Sequence, residues 1–145
     1  KKNEPYLIEY NVRMGDPECQ TILPRLENDF FDVIKSCIDK KLDSLNLNWS
    51  ENQSLCIVLC SKGYPDKFHN DIEIKNLKNE DEFLFHAGTK IKDNKIFSNG
   101  GRVLNFVKTS KSYKKSRDDI IKIIKNLNWE NGFFRKDIGH RVIDS

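Results

Sequence analysis

The sequence lacks the residue clusters that zinc sites and thiol enzymes need. It has four cysteines and three histidines in 145 residues, no close CxxC pair, and no histidine cluster near a cysteine. This spacing argues against a structural zinc site and against a catalytic thiol. If Cys56 and Cys60 share a strand, they stand about 13 Å apart, which is too far for a disulfide. We therefore expect free, mostly buried thiols in a reducing cytoplasm.

Long apolar runs, internal repeats and a strong charge bias are also missing. No apolar run approaches the length of a membrane-spanning helix, and no signal peptide is visible, so we expect no membrane partner. The 25 basic and 22 acidic residues leave a net charge of +3. That balance does not demand nucleic acid as a partner, although it suits an anionic substrate. The chain enters its first predicted strand almost at once, so we expect a piece of a longer protein.

The most informative stretch begins at residue 6. Strict alternation predicts a strand with apolar side chains on a core and Glu9, Asn11 and Arg13 on the opposite face. Successive residues on one face of a strand stand about 6.6 Å apart, so a polyphosphate with bound magnesium can span all three. Glu9 and Asn11 offer the hard oxygen ligands that magnesium prefers, and Arg13 offers a fork for phosphate oxygens. The alternative is an exposed, charged strand face without chemistry.

A tight turn and a helix start follow this strand. Gly15 permits a backbone shape that other residues resist, Asp16 is a good N-cap, and Pro17 suits the first helical position. Glu18 then lies in the first turn, where the helix dipole favours an anion. The free amides of such a helix, beside a Glu/Asn/Arg face, predict a site for anionic groups.

Helical spacing dominates the next segment. Pro24 kinks or restarts a short first helix, and Asn28 or Asp29 can cap a second one. Apolar residues from Phe30 to Leu42 recur at helical intervals and predict a core helix with a solvated side. A polar connector follows, and we place a domain boundary there, at residue 50.

The remainder predicts a β-rich region with one helix. A continuous apolar run suits a strand buried on both faces. The predicted elements are strands at 54–61, 71–74, 82–86 and 102–107, a hairpin at 90–97 and a helix at 116–127.

Five ordered motifs resemble one known family. They are EYNVRMGDPE at 9–18, SKGYP at 61–65, FHAGT at 85–89, GGRVL at 100–104 and FRKDIG at 134–139. Together they resemble the phosphoribosylamine–glycine ligases, over essentially the whole chain but only the C-terminal part of that family. The resemblance implies an α+β fold. The end of an ATP-grasp domain, a strand plus helices, would span 1–50. A small antiparallel β-rich C-terminal domain with one packed helix would span 51–145.

The resemblance also implies a reaction in purine biosynthesis. ATP phosphorylates the carboxylate of glycine, and the amine of phosphoribosylamine attacks the acyl phosphate to give glycinamide ribonucleotide, ADP and phosphate. The implied cofactors are ATP and Mg²⁺ or Mn²⁺, with the metal offsetting phosphate charge. The implied partners are the two substrates and the upstream N-terminal and ATP-grasp segments of the same protein. We expect the chain to be inactive alone.

Site residues follow from the matched motifs. The resemblance makes Glu9 and Asn11 the metal ligands and makes Arg13 the catalytic residue that stabilises phosphoryl or acyl-phosphate oxygens. A structural ion pair is the alternative for Arg102, and His86 suits a turn or packing role. The residues implied on the substrate side are Gly15, Asp16, Glu18, Gly100, Gly101 and Arg102.

Two other functions remain open from the sequence. One is another ATP-grasp carboxylate–amine ligase, which would share the metal face of the first strand. The other is a non-catalytic binding fragment that holds nucleic acid through basic turns, although no recognised nucleic-acid motif supports it.

Overall fold

A computed structural model describes residues 5–77 and 83–143. The helices are α1 (Glu18–Ile22), α2 (Phe30–Ile38), α3 (Tyr113–Leu127) and α4 (His140–Ile143), with 3₁₀ turns at Leu23–Arg25 and Leu42–Ser44. The strands are β1 (Gln53–Ser61), β2 (Phe83–His86), β3 (Thr89–Lys92), β4 (Lys95–Ser98), β5 (Arg102–Ser110) and β6 (Gly132–Phe133). Residue 82 of the predicted strand 82–86 lies outside the described residues. None of the described helices is long and apolar enough to cross a membrane.

Antiparallel pairing builds both sheets. The larger has the order β2-β5-β1-β6, and β3 and β4 form a separate hairpin. Asp93 and Asn94 turn that hairpin with φ angles of 51° and 58°, a left-handed geometry that Asp and Asn tolerate better than most residues. The predicted strand at 71–74 is reduced to a bridge between Glu73 and Phe97. The antiparallel, mixed α and β character expected from the sequence is confirmed.

The core lies between the large sheet and α3. Ile57 on β1 pairs with Phe106 on β5, and both side chains are buried with Ile120 of α3 in one cluster. Cross-strand partners share a face of the sheet, so the next pair along, Val58 with Asn105, faces the opposite side. That opposite side meets α1, which contacts both β1 and β5. The sheet is therefore covered by a long helix on one face and a short one on the other.

Segment 5–13 is not a strand in the described structure, and that prediction is wrong. It is not hydrogen-bonded to a neighbouring strand, and its apolar residues are open to solvent, with Ile8 and Val12 both 93% exposed. A strand satisfies its backbone groups only against a partner strand. The described residues supply none for this segment, so it stays extended and unpaired.

The predicted core helix also differs. It is capped by Asp29, whose carboxylate accepts from the Phe31 amide at 2.8 Å, but it ends at Ile38. Its apolar face is not covered by the described residues, with Phe31 70% and Ile38 75% exposed. Periodicity predicted the helix and its apolar face correctly, but the predicted burial of that face was wrong because the described chain leaves most of it open to solvent.

Candidate active-site wall

The side chains of Glu9 and Asn11 lie on one side of the extended segment. The amide nitrogen Nδ2 of Asn11 donates to Oε1 of Glu9 at 3.2 Å. The shared side matches the predicted alternation, although no sheet supports it. Arg13 turns instead to the backbone, where Nη1 donates to the carbonyl of Met14 at 3.1 Å. No group of three or more acidic, histidine or cysteine ligands gathers within the described residues, so Glu9 and Asn11 offer at most part of a metal's coordination shell.

The turn after this segment is held by Glu18. The amide of Gly15 donates to Oε2 of Glu18 at 2.8 Å, and the Cys19 amide donates to the Gly15 carbonyl at 3.0 Å. The N-cap position of α1 is Pro17, which makes no side-chain capping bond. The predicted N-cap role of Asp16 and the predicted N1 position of Pro17 are therefore wrong, because the carboxylate of Asp16 has other partners.

Those partners bring two distant motifs together. Arg102 Nε lies 3.3 Å from Asp16 Oδ2, and Arg102 Nη1 donates to the Asp16 carbonyl at 3.1 Å. Asn105 Nδ2 and Gln20 Nε2 both donate to Asp16 Oδ1, at 3.2 and 2.8 Å. The ion pair considered for Arg102 is thus present, and its partner is a residue expected on the same substrate side. Both side chains keep part of their surface in solvent, 34% for Asp16 and 44% for Arg102.

The glycines next to Arg102 are packed against backbone and ring atoms. Ser61 donates its hydroxyl to the Gly100 carbonyl at 2.9 Å and its amide to the Gly101 carbonyl at 2.8 Å. A Cβ on Gly101 would lie 2.0 Å from a ring carbon of Tyr64. The motif at 61–65 therefore packs on the motif at 100–104, and this packing accounts for Gly101.

A third motif joins the same cluster. The Gly88 amide donates to the Arg102 carbonyl at 2.9 Å, and the Asn99 amide donates to the Gly88 carbonyl at 2.7 Å. His86 Nδ1 lies 3.0 Å from the Thr89 hydroxyl, which agrees with its predicted turn role. Three motifs thus meet around the backbone that presents Arg102.

The thiols nearest this wall are poor nucleophiles. Burial raises the pKa of Cys56 to about 12, against a smaller opposing effect of its hydrogen bond with Thr21. Burial also raises the pKa of Cys60, although nearby Arg102 opposes it. All four cysteines are free as expected, but Cys37 is exposed and the other three are only half-buried, so the expectation of mostly buried thiols is wrong.

Comparison with known proteins decides the family. Residues 54–141 match the profile described as phosphoribosylglycinamide synthetase, C domain. The chain belongs to this family. The resemblance found in the five motifs is confirmed, and the matched range contains four of them.

Full-length relatives extend the match toward the N-terminus. A phosphoribosylamine–glycine ligase from Caldanaerobacter subterraneus is 41% identical over 138 residues, which cover 94% of this chain and 33% of that protein. A bifunctional purine biosynthetic protein purD from Dictyostelium discoideum is 38% identical, over 95% of this chain and 18% of that protein. The crystal structure of a phosphoribosylamine–glycine ligase from Thermotoga maritima is similar, with a TM-score of 0.71, 28% identity and coverage of 94% and 34%. The chain spans about a third of the length of the first of these relatives.

This synthetase C domain also contains a polar contact that the motifs did not reveal. Asn105 is fully buried in β5 and bonds Asp16, yet it lies outside every motif. The only signal in the sequence was a single amide inside the apolar run 103–107. Gln20, which shares the same Asp16 oxygen, gave no signal at all.

Proposed function

We propose that this C domain works within an ATP-dependent ligase that joins glycine to phosphoribosylamine, giving glycinamide ribonucleotide, ADP and phosphate. The observation that carries the proposal is the match over 94% of the chain to a relative named phosphoribosylamine–glycine ligase. A match of that length reaches into the N-terminal segment as well as covering the motifs around Arg102. We also propose a cytoplasmic location for the protein.

Glu9 and Asn11 are the proposed ligands of Mg²⁺ or Mn²⁺. Their contact uses Asn11 Nδ2 and Glu9 Oε1, so Asn11 Oδ1 and Glu9 Oε2 remain as acceptors. Hard oxygen atoms of this kind suit magnesium. When bound, the metal would offset negative charge on the transferring phosphoryl group.

Arg13 is the proposed catalytic cation. Its guanidinium makes an exposed bond to the Met14 carbonyl through Nη1. That single bond leaves donors for phosphoryl or acyl-phosphate oxygens, where positive charge stabilises the negative charge that develops during transfer.

The proposed substrate side is the surface that Asp16 and Arg102 share. The ion pair places the turn after segment 5–13 beside the loop before β5. Both residues are partly exposed, so this surface is open to an anionic substrate. The residues proposed to form it are Gly15, Asp16, Glu18, Gly100, Gly101 and Arg102.

We propose that residues 1–50 contact the rest of the ligase. We assign residues 1–50 to the end of an ATP-grasp domain and residues 51–145 to the C-terminal domain. The exposed apolar side chains of segment 5–13 and α2 support this, because each gains about 1.5–3 kcal/mol when buried. The partner segments would cover those faces and supply the opposite wall of the ATP site.

Substitutions at the proposed metal ligands test the assignment in the full-length protein. Glu9→Gln and Asn11→Ala should abolish glycine-dependent ADP formation and leave the circular dichroism spectrum unchanged. Glu51→Gln and Asn126→Ala, at exposed positions away from the wall, are the matched controls and should keep wild-type rates. Wild-type rates in the Glu9 and Asn11 variants would refute the roles, and preference for another carboxylate over glycine would redirect the assignment to a sister ligase.

A further inference from the structure

Asn105 is a fully buried polar residue in the centre of β5. Its relative exposure is 0%, and the side chains before and after it belong to the apolar core. A buried amide is costly unless it forms hydrogen bonds. Among the described residues, Oδ1 of Asn105 has no partner, and the bond from Nδ2 to Asp16 is what compensates the amide for losing water. An apolar residue of similar size would avoid this cost, so the position needs another explanation.

Contacts of the Asp16 carboxylate attach the end of the N-terminal segment to the sheet. Oδ2 meets Arg102, and Oδ1 accepts from Asn105 and from Gln20. Arg102 and Asn105 both belong to β5, one at its exposed start and one at its buried centre. Two residues of one strand therefore bind the same carboxylate, and the negative charge of this carboxylate strengthens both contacts.

We propose that Asn105 is a positioning residue that, together with Arg102, fixes Asp16 and so anchors to the sheet the end of the segment that carries Glu9, Asn11 and Arg13. This inference rests on the proposed function only for its catalytic consequence. Arg13 is three residues from Asp16, so its Cα lies within about 11 Å of the anchored Cα even in a fully extended chain. The turn between them is further held by the Gly15–Glu18 bond. Release of Asp16 therefore frees the catalytic segment from the wall.

Cys56 provides a built-in reporter of this docking. Its thiol lies on β1, on the face of the sheet that α1 covers, and Thr21 of α1 is close enough to influence its pKa. Burial there suppresses its thiolate form. When Asp16 is released, α1 loses its polar attachment to β5, and the thiol becomes accessible to reagent. Cys37 is exposed and remote from this contact in the chain, so it serves as an internal standard.

The test uses the full-length ligase with Asn105→Leu, which keeps the branching of the side chain, replaces the amide oxygen and nitrogen by two larger methyl groups, and removes the donor. We expect the alkylation rate of Cys56 relative to that of Cys37, measured by peptide mass spectrometry, to rise about tenfold. A change of this size corresponds to the loss of a hydrogen bond to a charged group. The kcat should fall by about a hundredfold with little change in the KM for glycine, because misplacement of about 1 Å costs that much. Ile124→Val, in the core on the α3 face, is the control for general destabilisation and should change neither quantity.

Asn105→Asp keeps the shape and places a second carboxylate against Asp16, so it tests the inference if Asn105→Leu fails to fold. Its Cys56 reactivity should rise at least as much. Unchanged Cys56 reactivity in a folded variant overturns the docking role, and faster alkylation with unchanged kcat overturns the catalytic consequence. Absence of glycine-dependent turnover in the wild-type protein would instead refute the proposed function, while the alkylation result would still decide the docking role.

Discussion

Gly88 occupies a place where even one methyl group meets backbone atoms. A Cβ there would lie 2.6 Å from the Arg102 carbonyl oxygen and 2.8 Å from the Gly100 Cα. Neither atom can be moved by a side-chain rotation, so Gly88→Ala must push the two chain segments apart. The same displacement stretches the bond from the Gly88 amide to the Arg102 carbonyl, now 2.9 Å.

The cost of Gly88→Ala follows from these two effects. Overpacking a tight site costs about 1–3 kcal/mol, and a rigid backbone contact belongs at the upper end. Weakening the hydrogen bond adds about 0.5–1.5 kcal/mol. The free energy of unfolding should therefore fall by roughly 3–4 kcal/mol, which lowers the melting temperature by about 10 °C for a chain of this size.

Gly100→Ala is the matched control, since the same methyl group enters the same cluster. Its Cβ would lie 3.1 Å from the Gly88 Cα and 3.6 Å from the Arg102 carbonyl oxygen, which needs a shift of only a few tenths of an ångström. We expect a loss of about 1 kcal/mol, near the low end for overpacking. Thermal unfolding followed by circular dichroism measures both variants. Equal melting temperatures for the two variants would contradict the packing account of this cluster.

Three further predictions concern the thiols, the C-terminal ion pair and the isolated chain. At pH 8, alkylation of the folded chain should modify Cys37 and spare Cys56, because a pKa of about 12 leaves Cys56 almost no thiolate; equal rates would contradict this. The hydrogen bond from Arg135 lowers the pKa of the Asp137 carboxyl. The pair therefore stabilises the folded state fully above the unfolded-state pKa, and this stabilisation is lost as pH falls through the lower folded-state value. A nuclear magnetic resonance titration should show that pKa rising in Arg135→Gln, and no rise would exclude the pair. The isolated 145-residue chain should form no glycine-dependent ADP. Measurable turnover would show that the chain needs no other segment to complete the ATP site.

Elements whose partners lie within the chain could be predicted from the sequence. The apolar spacing that predicted a helix at 116–127 corresponds to α3, which Ser112 caps and which starts earlier, at Tyr113. The predicted hairpin and both long strands are present for the same reason, since each buries its apolar face against another described element. Segment 5–13 and α2 have equally clear patterns, but a pattern identifies an apolar face without identifying what covers it.

The candidate site also has parts that the sequence predicted and parts that it did not. The motifs indicated Asp16 and Arg102 separately, but their contact depends on the register of β5 and on where α1 packs, which no local pattern encodes. Asn105 was missed because one amide in an apolar run predicts no chemistry by itself. The glycines near Arg102 were expected on the substrate side, and the structure adds a packing requirement that the sequence could not distinguish from binding.

Polar contacts and uncovered apolar side chains occur at different places in the N-terminal part of the chain. Asp16 is fixed by an ion pair and hydrogen bonds that are partly open to solvent, and such contacts contribute a few kcal/mol at most. Ile8 and Val12 in segment 5–13, and Phe31 and Ile38 in α2, are between 70% and 93% exposed, and burying all four would contribute roughly 6–12 kcal/mol. That is comparable with the stability of a whole domain. Substitutions at Asn105 should therefore act on docking with or without other segments present, whereas substitutions at Ile8 or Val12 should matter only where another segment covers them.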